Sequence, residues 1–184
     1  MATEEVRSDK IHLEVVTPKG RALDISVDEV TAPGVGGEFG VMPGHVPALV
    51  ALRTGIVSFR QGSDTTRVAV GTGFAEAGPN RVLVLTDEFV ERSAIDPVLV
   101  RKELAEVDAK IPLIDPLAPG ADQEELKEKR DVLIQRQNWL AAQLELYGDP
   151  PPATLRPYEE YGPTPMPEDE DTARHDAEQS SKDA

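Results

Sequence analysis

Of the side chains whose types could do chemistry, the ones with the most suggestive spacing fall in one short stretch. Residues 36–45 read GGEFGVMPGH, which sets Glu38 and His45 among glycines and a proline. Three roles suit such a stretch: a glycine-rich cradle for phosphate, a histidine general base, or a shaped loop offered to a protein partner. A phosphate cradle leaves a strand and enters a helix whose N-terminus faces the anion. Here the glycines run on into the strand-like VPALV, no lysine follows the last of them, and Glu38 would repel an anion. VGTGF at 70–74 fails in the same way, because no helical pattern follows it. Its glycines read instead as a bulge or a tight strand crossing.

A catalytic His45 needs a nucleophile or an orienting carboxylate close in space. The other two histidines are His12, in a strand-like run, and His175, near the end of the chain. A structural or contact role for His45 is the better reading, and a hydrolase built on His45 and an acid would require a substrate-sized pocket beside it. No spacing of histidines and carboxylates resembles a metal site. With 34 Asp and Glu in 184 residues, any pair of carboxylates is weak evidence for an acid and base dyad.

The elements that must position these residues change character along the chain. From Ile11 to about Val90, short runs rich in Val, Ile, Leu and Thr alternate apolar with polar and stop at Gly, Pro, Asn or Asp. QGSD at 61–64 and GPN at 78–80 each join two such runs and predict hairpins. Eight to ten strands spaced this way predict a sandwich or flattened barrel. After Glu91 the period becomes helical. Asp96 before Pro97 predicts a helix start, followed by a stripe of Val100, Leu104, Val107 and Ile111. PLIDPLAPG at 112–120 breaks it, and Asp122 with Glu125 predicts a second start of capping-box type. In that second helix Leu126, Leu133, Leu140 and Tyr147 repeat every seven residues, flanked by Val132, Trp139 and Leu146, until Gly148 and Pro150 stop it. Two such helices predict an antiparallel hairpin whose apolar seam packs on its own partner helix or its own domain. A two-helix hairpin buries little alone, so another protein's apolar groove could compete for it. From Asp149 onward seven prolines and ten acids stand against three Lys or Arg, which predicts a disordered acidic tail.

The balance of charge limits the partners. Nineteen Lys and Arg give a net charge of -15, against a generic grip on nucleic acid or anionic lipid. There are no cysteines, which removes disulfides and thiolate metal sites. MATEEVRSDK is acidic where a secretory signal is basic, and no apolar run approaches the roughly 20 residues of a membrane span. Proteins are the expected partners, and any membrane association is expected to come through one.

The order of parts resembles the epsilon subunit of bacterial F-type ATP synthase, the equivalent of the mitochondrial delta subunit. IHLEVVTPKG, then GGEFGVMPGHVPAL, LRTGIVSF, VGTGFAEAGPNRVLVLTDEFV and IDPVLVRKELAE follow that family's pattern from about residue 10 to 111, and the helix-loop-helix extends the likeness to about 147. The resemblance implies a ten-stranded β-sandwich (1–92), a C-terminal helical hairpin (93–148) and, outside the likeness, the acidic tail (149–184). It implies a non-catalytic rotor subunit that binds the gamma subunit and the ring of c subunits, couples proton flow to ATP synthesis, and sits peripherally on the cytoplasmic face of the bacterial inner membrane. Carried over by position, Glu38, Phe39, Gly40, Val41, Met42, Pro43, Gly44 and His45 face gamma and the c ring, with Glu38 nearest the ring's polar loops. In many members the hairpin also extends into the alpha/beta catalytic head and blocks ATP hydrolysis. Some members bind ATP there through Ile or Leu, Asp, two variable residues and Arg-Ala. Ile95 and Asp96 keep the start of that motif, but Leu99 replaces the arginine and Ala105 stands where a later basic residue falls, which argues against an ATP cofactor. The alternative is a stand-alone β-sandwich module that recruits an unrelated partner.

Overall fold

The computed structural model describes residues 9–114 and 122–150. The part of the connection between the helices at 115–121, and the acidic tail from 151, lie outside the described residues.

Alternation along the N-terminal half becomes ten strands: β1 Ile11–Thr17, β2 Gly20–Val27, β3 Glu29–Gly34, β4 Gly37–Val41, β5 Ala48–Leu52, β6 Gly55–Gln61, β7 Asp64–Val70, β8 Gly73–Ala77, β9 Arg81–Thr86 and β10 Phe89–Glu91. They pair along one path, β10-β7-β6-β3-β5-β8-β9-β1-β2, with β4 branching from β3. Every pairing is antiparallel except that of β1 with β9. The predicted hairpins form at β6–β7, closed at Gln61 and Asp64, and at β8–β9, closed at Ala77 and Val82.

Inward side chains from nearly all the strands meet in one core. Ile11, Leu13, Val15, Val27, Val30, Val41, Val57, Val70, Val82 and Val84 are fully buried, with Phe59 and Leu52 beside them. Burying β-branched side chains on the inner face of a folded sheet is the main stabilising term for such a sandwich. Asp28, between β2 and β3, ties that corner to the β6–β7 hairpin and to Lys10 just before β1. Its amide donates to the Arg60 carbonyl at 2.8 Å, its Oδ2 accepts from the Gly62 amide at 2.6 Å, and Lys10 Nζ lies 2.9 Å from Oδ1. The glycines of VGTGF mark a tight crossing, as expected: a Cβ at Gly71 would strike the Asp87 carboxylate, and one at Gly73 the Leu85 carbonyl.

Two helices follow, α1 Pro97–Lys110 and α2 Gln123–Tyr147. Asp96 caps the first through the amides of Val98 and Leu99 at 3.0 and 3.2 Å. Asp122 caps the second through Glu124 and Glu125 at 3.1 and 3.2 Å, while the Glu125 side chain turns to Lys129 at 2.5 Å. Gly148, at φ 104°, ends α2 in the left-handed region that glycine enters without strain. The pair is antiparallel: the Arg101 guanidinium near the start of α1 holds Asp149 just past the end of α2.

The helices' apolar residues form a second cluster, with Val100, Leu104, Val107, Trp139, Leu140, Ala142, Leu144 and Leu146 packed on Ala69, Ile56 and Val90 of the sandwich. The hairpin thus packs on itself and on its own sandwich, as its stripes predicted. The seven-residue repeat is only partly buried, however. Val132 is 60% exposed, whereas the C-terminal half of α2 lies between α1 and β6–β7 and buries Gln137 as well, through a 2.6 Å bond to Asp108.

Candidate functional site

The stretch Glu38–His45 is half strand and half loop. Residues 38 to 41 belong to β4, pinned to β3 with Phe39 opposite Ala32 and Glu38 opposite Pro33. Val41 and, in part, Phe39 turn into the core, while Glu38 and Gly40 are exposed. A glycine-rich sequence conceals this strand because its propensity is poor and pairing alone fixes it. Beyond it, Met42, Pro43 and Gly44 are exposed, and Met42 presents 59% of its surface.

The loop is held from two directions. Within it, the His45 amide donates to the Met42 carbonyl at 3.0 Å; across to the β8–β9 turn, the Gly44 amide donates to the Pro79 carbonyl at 2.7 Å. Gly44 sits at φ 87°, where a side chain is strained. The His45 ring is engaged locally, with Nδ1 2.6 Å from the Val46 carbonyl. A cavity of about 480 Å3 exists elsewhere, between Thr17–Ala22, Asp87–Val90 and Arg136, Trp139 and Gln143 of α2, and no residue of 38–45 lines it.

Beside this loop lies a surface that the sequence did not single out. The register aligns Ala51 with Phe74, Phe74 with Leu85 and Leu85 with Val16, so four apolar side chains cross the outer face of β5, β8, β9 and β1 in one row. Phe74 is 53% exposed and Leu85 47%. One step along, Leu49, Glu76, Leu83 and Glu14 form a mixed row, with Leu49 73% exposed, and Val46 at the loop end is 71% exposed. Glu14 is bonded to Arg81 at 3.1 Å, which makes a charged border. Outward apolar side chains joined into a patch with a polar edge mark an interaction surface, where scattered ones would not.

The two ATP-motif positions are exposed on α1: Leu99 is 63% exposed, and Ala105 faces solvent.

Comparison with known proteins agrees with this layout. Residues 10–92 match the family model described as the β-sandwich domain of the ATP synthase delta/epsilon chain. The ATP synthase epsilon chain 2 of Syntrophotalea carbinolica is 39% identical over 109 residues, 59% of this chain and 79% of that one. The ATP synthase epsilon chain of Magnetococcus marinus is 46% identical over 92 residues, 50% of this chain and 67% of that one. Among solved structures, a chain of the mitochondrial ATP synthase of Euglena gracilis aligns over 78% of this chain and 87% of its own length, with a TM-score of 0.60 and 23% identity, a likeness of fold.

Proposed function

The chain belongs to the family of ATP synthase epsilon chains, and on that footing we propose that it is a non-catalytic subunit of the rotating central stalk, binding the gamma subunit and the c ring and so coupling proton flow to ATP synthesis. The observation that carries this reading is the row Ala51–Phe74–Leu85–Val16, an apolar patch on an outer sheet face beside an exposed, tethered loop. A flat apolar patch with a charged border fits a helix of a partner subunit, which we take to be gamma. The loop Glu38–His45 supplies the contact of other character: a carboxylate on a strand and the bulk of Met42, suited to the polar loops of a c ring.

The non-catalytic reading is supported by the chemistry of the stretch itself. His45 spends Nδ1 on a neighbouring carbonyl, and Glu38 lies on an exposed strand rather than in a cleft. No described helix is long and apolar enough to cross a membrane. Association with the cytoplasmic face of the membrane would then come through the complex. The sandwich (1–92) and the helical pair (93–148) are proposed as separate functional parts, the first for attachment and the second for inhibition of ATP hydrolysis when it extends toward the alpha/beta head. Extension has a definite cost, since it exposes Trp139, Leu140 and Leu144 unless another apolar surface covers them.

Because Val41 is in the core, the test uses exposed positions only. Glu38→Lys with Met42→Ser is expected to leave the chain folded and ATP hydrolysis by the assembled complex intact, while lowering ATP-driven proton pumping into vesicles. Pumping equal to that of the unaltered complex would contradict the assignment of this loop.

A further inference from the structure

Among the described residues two hydrophobic clusters stabilise the fold, and the seam between them is narrow. One fills the sandwich; the other belongs to the helices, with Ile56, Ala69 and Val90 as its strand residues. So few shared apolar side chains make polar contacts important in fixing the helices on the strands.

Arg136, midway along α2, makes such contacts in two directions. Its Nε and Nη2 reach Glu103 Oε1 of α1 at 2.8 and 2.7 Å, and its Nη1 reaches Glu88 Oε1, between β9 and β10, at 3.3 Å. One guanidinium fork thus joins the second helix, the first helix and the sandwich, at the wall of the cavity that also holds Trp139. We propose that Arg136 is a clasp: by bonding Glu88 and Glu103 at once it keeps the two helices docked as a unit, and its loss lets them leave the sandwich without unfolding it.

The surroundings of Glu88 make the clasp sensitive to pH. Burial pushes its carboxyl above the ordinary glutamate value, and Arg136 opposes that shift; Asp87 adds to it, Lys19 across the cavity opposes it, and Glu103 adds to it. Arg21 also lines the cavity. A carboxyl raised in the docked state binds its proton more tightly there than when the helices are free. The cost of burying the ionised Glu88, which Arg136 offsets only in part, is absent in acid and grows as pH rises through the raised value. Removing Arg136 removes the strongest opposing charge and steepens this dependence.

The test compares the full-length chain with Arg136→Met, which keeps much of the aliphatic stem, by backbone hydrogen exchange and the emission of Trp139, the single tryptophan. The three side chains keep about two-fifths of their surface in water, which screens the pairs, so the expected loss of protection in α1 and α2 is about fivefold. Protection in β1, β8 and β9 should stay unchanged, and Trp139 emission should shift to the red. Lowering the pH, or adding Glu88→Gln at neutral pH, should restore helix protection. Unchanged helix protection in Arg136→Met, an equal loss in the strands, or failure of both acid and Glu88→Gln to restore it would each overturn the clasp. These readouts concern the isolated chain, so they do not depend on which partner the sandwich binds.

Discussion

The amide of Gly44 donates to the carbonyl of Pro79 at 2.7 Å, joining two segments that are far apart in sequence. This bond ties the loop after β4 to the β8–β9 turn, so the loop and the outer sheet face share one scaffold. A surface that recognises a partner through both gains from having them fixed before contact, since less ordering entropy is lost on binding.

Gly44→Ala tests that scaffold. With φ at 87°, an alanine there costs about 1–2 kcal/mol, and the urea midpoint should fall accordingly. Gly40→Ala is the control: no positive φ is involved and a Cβ there meets nothing within 4 Å, so its midpoint should stay close to that of the unaltered chain. Equal effects of the two would mean that the loop does not need the left-handed turn.

The apolar row makes a separate prediction. Phe74→Thr with Leu85→Thr removes surface that water already touches and puts β-branched residues, which suit strands, in their place, so stability should change by less than about 1 kcal/mol. Affinity for the partner subunit should drop by tenfold or more, the scale for removing an aromatic anchor. Calorimetry of binding beside thermal unfolding separates the two quantities; a loss of stability with unchanged affinity would assign the row to folding alone.

The two clusters predict unequal consequences for cavity mutations. Leu13→Ala, in the sandwich core, should cost about 2–5 kcal/mol of global stability. Leu140→Ala, in the helical cluster, creates a similar void, but its cost should appear as loss of helix protection and of far-ultraviolet helical signal while strand amides stay protected. Exchange measured on both variants decides this, and loss of all strand protection in Leu140→Ala would contradict two separable parts.

Acid should loosen the sandwich at Asp28. The hydrogen bond from Lys10 and that from the Gly62 amide hold its carboxyl below the ordinary aspartate value, with the charges of Lys10 and Arg60 adding to them. A lowered folded value means that the contribution is present above the unfolded value and is lost as pH falls through the folded one, below about pH 4. Asp28→Asn should therefore flatten the acid limb of the urea midpoint against pH, and an acid limb identical to that of the unaltered chain would contradict this assignment.

Local signals were legible in the sequence, and alignments over distance were not. QGSD, GPN, Asp96, Asp122 and Gly148 each act on their nearest neighbours, and each makes the turn or cap that its chemistry predicts. The strand Gly37–Val41 was hidden because glycine has little intrinsic preference for extended pairing, and β3 supplies the constraint from outside. Phe74 and Leu85 look like ordinary members of alternating runs. Only the register of β5, β8, β9 and the parallel β1 shows that they stand in one row with Ala51 and Val16. The contacts of Arg136 are of the same kind, reaching across 33 residues to Glu103 and 48 to Glu88. Val132 fits the helical repeat yet is exposed, because the sandwich and α1 flank only the C-terminal half of α2.

The most direct test of the stalk assignment is the affinity of the full-length chain for the gamma subunit encoded in the same genome, measured by calorimetry for the unaltered chain and for Phe74→Thr with Leu85→Thr. A rotor subunit should form a one-to-one complex that the double change weakens by at least about tenfold while the variant stays folded. No binding by the unaltered, folded chain, or binding that the double change leaves untouched, would contradict that assignment.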